Sequence, residues 1–217
     1  MNLISWILDL IFPPRCSFCS QIMGGEGLRI CSDCQQNLPW LEEEAAEKTV
    51  EFTSKCVSAL RYQGQVVEGI HGYKFSGRQG CCTAFGVLIS QAVSDHLQGK
   101  FDLISWIPVS RQRKRERGYD QCFLLAKELG KILEQEPVEL LRKEKNIQPQ
   151  SRLKDAAERR ANVMGVYCVP WPERVRGKRV LLVDDVVTTG STLSECARAL
   201  LMAGAEDVVC VTLARAR

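Results

Sequence analysis

Apolar residues fall along this chain in two patterns. Residues 57–62, 101–107, 179–184 and 207–213 are short, nearly unbroken apolar runs, as expected of buried strands. Residues 84–97, 122–133 and 191–203 instead repeat apolar positions every three or four, which predicts amphipathic helices. The last of these shows it clearly, with Leu193, Cys196, Ala197, Leu200 and Leu201 on one stripe. A further short strand is expected at 137–141. Residues 146–163, polar and basic, read as a loop followed by a helical turn, and the acidic stretch 41–55 as a helix or linker. Strands alternating with helices predict an α/β fold, a parallel sheet flanked by helices on both faces. No internal repeat or low-complexity segment interrupts it.

At 217 residues, 45% of them hydrophobic, the chain suits one ordinary domain with a small appendage. The appendage is expected at the start, with residues 1–40 forming one unit and 41–217 the other. Within it, Cys16-Ser17-Phe18-Cys19 and Cys31-Ser32-Asp33-Cys34 are two knuckles separated by eleven residues. Cys16, Cys19, Cys31 and Cys34 in this spacing suit Zn2+. Four thiolates close the tetrahedron, so the metal is structural. A redox Cys-x-x-Cys competes, but it would be single and would sit at a strand-to-helix junction. The other seven of the eleven cysteines are scattered and read as small buried hydrophobes. Without export, disulfides are not expected. No apolar run is long enough for a membrane span. Residues 1–12 are apolar but lack the basic start and cleavage site of a leader. Trp6, Ile7 and Leu10 there outline one face of a short helix, expected to dock on the protein's own body.

The densest chemistry lies at Val183-Asp184-Asp185-Val186-Val187-Thr188-Thr189-Gly190-Ser191-Thr192. A buried strand runs into two carboxylates, then a turn of hydroxyls and one glycine, then a helix. Thr188, Thr189, Gly190, Ser191 and Thr192 offer backbone N–H groups, hydroxyls and the positive end of a helix dipole to a phosphate. Asp184 and Asp185 are placed to accept from sugar hydroxyls. Phosphate and diol at that separation describe a ribose 5-phosphate. Asp-Asp also closes the second motif of P-loop ATPases, but each Gly-Lys here is followed by the wrong residue. The stretch resembles the phosphoribosyl pyrophosphate (PRPP) signature of type I phosphoribosyltransferases. By that resemblance, the loop 107–111 grips pyrophosphate through Ser110 and Arg111, and Mg2+ accompanies PRPP. Residues 150–162 take the place of a mobile hood that brings Arg159 and Arg160 to the site.

Net charge is only +3, but the bases cluster. Residues 111–118 hold five bases and one acid, and 142–160 seven bases and three acids. The run Arg113-Lys114-Arg115-Glu116-Arg117-Gly118-Tyr119-Asp120-Gln121 resembles the ComF family. So do Phe12-Pro13-Pro14-Arg15-Cys16 ahead of the knuckles, Tyr73-Lys74-Phe75 with Gly77-Arg78, and Gln150-Ser151 with Arg159-Arg160-Ala161-Asn162. Two departures are mild: Tyr119-Asp120 stands for the commoner Phe-Asn, and residues 145–149 lack a threonine-rich approach. The resemblance implies a cytoplasmic, phosphoribosyltransferase-like protein of natural transformation, with competence proteins of the DNA-uptake pathway as partners.

Two functional readings follow. In the first, the protein transfers phosphoribosyl from PRPP to an unidentified acceptor. No catalytic residue is identified; Arg111, Arg159 and Arg160 are candidates to stabilise charge on departing pyrophosphate. In the second, it is a non-catalytic module for single-stranded DNA, or a regulatory sensor using the same phosphate site. Arg113, Lys114, Arg115 and Arg117 would then meet the DNA backbone. The plain alternative is that they are a solvated face. Trp40, Trp106 and Trp171 are stacking candidates for which core packing is the commoner role. The two histidines, His71 and His96, have no assigned chemistry.

Overall fold

Four apolar runs pair into one parallel sheet. In this computed structural model, residues 13–24, 27–144 and 165–216 are described. The strands are β1 (Lys55–Arg61), β2 (Leu103–Trp106), β5 (Arg179–Val187) and β6 (Asp207–Arg215), in the order β1-β6-β5-β2. A two-stranded antiparallel ribbon, β3 (Arg142–Lys143) with β4 (Tyr167–Cys168), stands apart from it. The helices are α1 (Ser32–Gln36), α2 (Glu43–Ala46), α3 (Gln65–Phe75), α4 (Cys81–His96), α5 (Arg111–Arg117), α6 (Gln121–Ile132) and α7 (Ser191–Met202).

The strands are buried on both faces because each face carries its own apolar layer. Leu181 and Val183 join α3, α4 and α6 in one core, and Val180 and Leu182 join α7 in the other. This alternation, which follows from the side-chain period of two in a strand, decides where the carboxylates beyond Val183 point. At the sheet's outer end Ser58 and Thr212 satisfy each other inside the core, 2.7 Å apart.

The cysteine module shares the first core. Phe18 is fully buried and packs on Phe85 of α4, with ring centroids 5.4 Å apart. Gly69 of α3 makes room for it: a Cβ there would lie 2.8 Å from Phe18 and 2.9 Å from the Ser17 carbonyl. Arg78 donates to the Cys16 carbonyl at 2.6 Å.

Several expectations shift. The apolar pattern does not predict helix α3 over Gln65–Phe75; Gly69 and Gly72, poor helix formers kept for close packing, blur it. Residues 41–55, expected as a helix or linker, hold the short helix α2 and are tied to the sheet, since Leu41 and Lys48 both bond to β1 and Glu47 bridges to Val57. The expected strand at 137–141 is absent; Pro137 lacks a donor, and the ribbon begins only at Arg142. The run after Arg111 makes a helix of its own, α5, ended by Gly118 at φ 84° before α6 begins. The expectations for residues 1–12 and for the loop and turn at 146–163 fall outside the described residues. Among the described residues no helix is long and apolar enough to cross a membrane.

Candidate functional site

Asp184 and Asp185 lie within β5, three and two residues before its end. Asp185 continues the Leu181–Val183 side and is only 3% exposed. Both its oxygens are engaged. Oδ1 lies 2.5 Å from the Lys74 ammonium of α3, and Oδ2 accepts from the Gln121 amide at 3.0 Å. Asp184 is half-buried. Its Oδ1 accepts from the Cys122 thiol at 3.2 Å and from the Asp185 N–H at 2.8 Å.

The electrostatics follow from burial and this crowding. Burial, then the Asp185 charge, pushes Asp184 up to about 7, with Lys74 and the Cys122 thiol pulling the other way. Burial works against the Lys74 cation, but Asp185 and then Asp184 outweigh it and raise its pKa. Burial and the neighbouring carboxylates push Cys122 well up, so its thiol stays protonated and donates.

Beyond β5 the chain turns through Thr188, Thr189 and Gly190 into α7. Gly190 has φ 85°, and its hydrogen faces Val50, where a Cβ would come within 3.0 Å. The turn therefore needs glycine. The Thr189 and Ser191 hydroxyls are 2.8 Å apart, and α7 has no side-chain cap at Gly190. The hydroxyls and the twelve-residue helix's positive end make an anion seat.

Beside β5, its paired neighbour β2 ends at Trp106, and the loop 107–110 leads into α5. The buried Ser110 hydroxyl caps α5 by accepting from Arg113 N–H at 3.2 Å. Asp120 ties the loop to α6. One of its oxygens accepts from Val109 N–H, and the other from Cys122 and Phe123 N–H. Arg111 is exposed beside this loop. Among the described residues none of the α5 bases forms an ion pair, and Glu116 takes Gln112 instead. The four DNA candidates divide. Arg117 bonds to Gln121 and lies over the exposed Phe75 ring, 5.3 Å from its centroid. Arg113 is half-buried and acts on Lys143 and Tyr167 of the ribbon. Lys114 and Arg115 are exposed.

The ribbon covers the far side. Burial, and then the Arg113 charge, lowers the pKa of Lys143, whose ammonium lies over Tyr167 at 5.2 Å. At its other end Gly165 N–H donates to Glu195 Oε1 of α7 at 2.6 Å, and Arg198 holds that carboxylate. Arg159 and Arg160 lie outside the described residues.

The second cluster is the cysteine module. The ligand atoms of Cys16, Cys19, Cys31 and Cys34 all lie within 4.8 Å of one another, and Cys19 and Cys31 sulfurs are 3.7 Å apart. A zinc tetrahedron with bonds of about 2.3 Å has edges of roughly 3.8 Å, so the group fits. Burial opposes ionisation of Cys16, but N–H groups of Cys31, Cys19 and Phe18 outweigh it and bring it down to about 6. That favours a thiolate ligand.

A phosphoribosyl transferase domain model matches residues 120–217, and a double zinc ribbon domain model matches residues 7–49. The chain is 34% identical to DNA utilization protein YhgH of Shigella flexneri over 71% of its own length and 69% of that protein's. It is 27% identical to competence protein F of Haemophilus influenzae, over 93% and 97% of the two lengths. Competence protein ComFC of Bacillus subtilis is 31% identical over 73% of this chain and 63% of its own. The chain belongs to the ComF family. Among solved structures, the glutamine PRPP amidotransferase of Bacillus subtilis overlaps 65% of this ComF chain and 30% of its own, at 19% identity and TM-score 0.44.

The ComF fold is thus a phosphoribosyltransferase-type parallel sheet flanked by helices, with a structural zinc ribbon docked on one core. Its site brings together the acid pair, the hydroxyl turn and the loop at Ser110. Lys74, Gln121 and Cys122 were not read as site residues. The Tyr73-Lys74-Phe75 motif holds the signal for the lysine and the Arg113–Gln121 run that for the glutamine; nothing local marks Cys122. Of the tryptophans, Trp106 packs on Phe123, Trp171 sits by Arg142 and Arg174, and Trp40 is 38% exposed. Of the scattered cysteines, Cys82 and Cys168 are only half-buried.

Proposed function

We propose that this ComF protein binds PRPP, in the crevice beyond β2 and β5, and serves DNA uptake from the cytoplasmic side. The observation that carries the reading is the single strand–turn–helix in which an acid pair precedes a hydroxyl-lined turn and a helix N-terminus. The 5-phosphate takes Thr188, Thr189, Ser191, Thr192 and the Gly190 turn. The sugar diol faces the acid pair. Pyrophosphate lies toward the Ser110 loop, where its backbone and Arg111 meet it.

Mg2+ fits as a companion of PRPP rather than a resident ion. Lys74 already supplies a cation to the acid pair, and Mg2+ is commonly held by few carboxylates plus ligand phosphates. When bound, it neutralises charge on the pyrophosphate. The chain's own part is to orient the sugar, offset developing negative charge at Arg111, and exclude water under the ribbon.

Transfer of phosphoribosyl to an acceptor is the first reading. Calorimetry with PRPP and Mg2+, followed by assay of pyrophosphate release across nucleobase and other nucleophile acceptors, tests it. Saturable binding with acceptor-dependent release supports a transferase. Binding without release under any acceptor supports the sensor. No binding sinks both.

DNA contact has its own support in the bases of α5, none of which is ion-paired among the described residues. Lys114 and Arg115 are the exposed members, whereas Arg113 and Arg117 face protein. An alanine pair at Lys114 and Arg115 is expected to weaken an unstructured oligonucleotide and reduce the salt slope by a little under one unit per contact, roughly 0.7 for a single strand. A wild-type gel shift that is absent at low salt would show that α5 is a solvated face.

A further inference from the structure

The acid pair is not symmetrical, and its asymmetry is built by residues that lie far away in sequence. Asp185 faces the α3–α6 layer because it follows Leu181 and Val183 on one side of β5. There its Oδ1 meets Lys74 at 2.5 Å and its Oδ2 meets Gln121 at 3.0 Å. With 3% exposure, it has both oxygens satisfied and little surface left. Asp184 differs on each count. It is half-buried, and its two hydrogen bonds both arrive at Oδ1. Among the described residues its Oδ2 accepts none.

Two adjacent carboxylates repel, and burial strengthens the repulsion. A single cation on the inner one relieves this without blocking the outer one. Lys74 is suited to that place. Its neighbours anchor it: Tyr73 is fully buried, donates to the Gln121 carbonyl at 2.7 Å, and accepts at its own carbonyl from Tyr119. Helix α3 is therefore fastened at Tyr73, next to the lysine, to the start of α6 and to the residue two before it. Arg117, bonded to Gln121, fixes the amide that completes the hold.

We infer that Lys74 is the positioning residue of this site: with Gln121 it fixes Asp185 as the inward, structural member of the acid pair and leaves Asp184 to meet the ligand's diol. This rests on the phosphoribosyl reading above. The diol's hydroxyls then donate to Asp184, and Asp185 acts through the strand by setting where Asp184 stands.

The test uses the full chain and two readouts, thermal unfolding without PRPP and calorimetric affinity for PRPP with Mg2+. Asp184→Asn should lose about tenfold or more in affinity, as one charge-assisted acceptor is lost, with no fall in melting temperature at neutral pH. Lys74→Met should lower the melting temperature, because it strands the Asp185 charge in the core. Adding Asp185→Asn to Lys74→Met should recover part of that loss, and Lys74→Arg should keep most of both properties. The inference is overturned if Asp184→Asn and Asp185→Asn weaken PRPP alike without thermal change. It is also overturned if the Lys74 and Asp185 effects on melting simply add. A wild-type chain that binds no PRPP overturns the phosphoribosyl reading instead, and the thermal cycle then reads the Lys74 hold on Asp185 by itself.

Discussion

At the scale of single residues, the site turns on which carboxylate can change its charge near neutrality. Asp184 is the one, raised to about 7 by burial and by Asp185. The groups facing it are Lys74 from α3, Cys122 from α6, Lys143 and Tyr167 from the ribbon, and Cys196 from α7. A carboxyl raised above its unfolded value of about 3.9 is held protonated in the folded chain. Its contribution to stability is present below that value and is lost as pH rises toward 7. The melting temperature should therefore fall between about pH 5 and pH 7.5 more steeply in the wild type than in Asp184→Asn. Parallel pH profiles would refute the raised carboxyl. Gly190 is the second sensitive residue. Gly190→Ala places a Cβ 3.0 Å from Val50 at φ 85°, so it should destabilise the fold by about 1–2 kcal/mol in urea unfolding. Asp184, Asp185 and Gly190 were legible in the sequence because strand, acids and turn are contiguous. The difference between the two acids was not, since it depends on α3 and α6, which the sequence places 111 and 64 residues before Asp185 for Lys74 and Gln121.

At the scale of elements, the alternation of strands and helices was readable wherever apolar periodicity was strong, as in α4, α6, α7 and β5. It failed where packing had overruled propensity. Helix α3 carries Gly69 because Phe18 of the zinc ribbon lies against it, a constraint no local window contains. The short ribbon β3–β4 has too few residues to show a period. The ribbon of cysteines, by contrast, announced itself through spacing alone. Its four thiols converge as a zinc site requires, and removing one should be costly. Cys31→Ser should purify with well under the about one zinc per chain expected of the wild type. Because Phe18 is shared with α4, its loss should lower the melting temperature of the whole chain and not merely fray the module. Full zinc content in Cys31→Ser, measured by elemental analysis, would contradict a four-cysteine site.

At the scale of the whole molecule, the zinc ribbon braces one layer of helices, and that layer delivers Lys74 and Gln121 to the acid pair. The other layer delivers α7 and its anion seat. The crevice proposed beyond the ends of the paired strands β2 and β5 is where these contributions meet, with α5 and its exposed bases beside it. That a phosphate, a diol and a pyrophosphate each have a matching place along this crevice is the central claim. Phosphorus NMR of PRPP with Mg2+, titrated with wild-type protein, tests it most directly. The 5-phosphate and pyrophosphate resonances should both shift or broaden saturably, and Asp184→Asn should weaken the response of both while the fold stays intact. Resonances that stay unchanged at protein excess, or that respond equally to wild type and to Asp184→Asn, would contradict it.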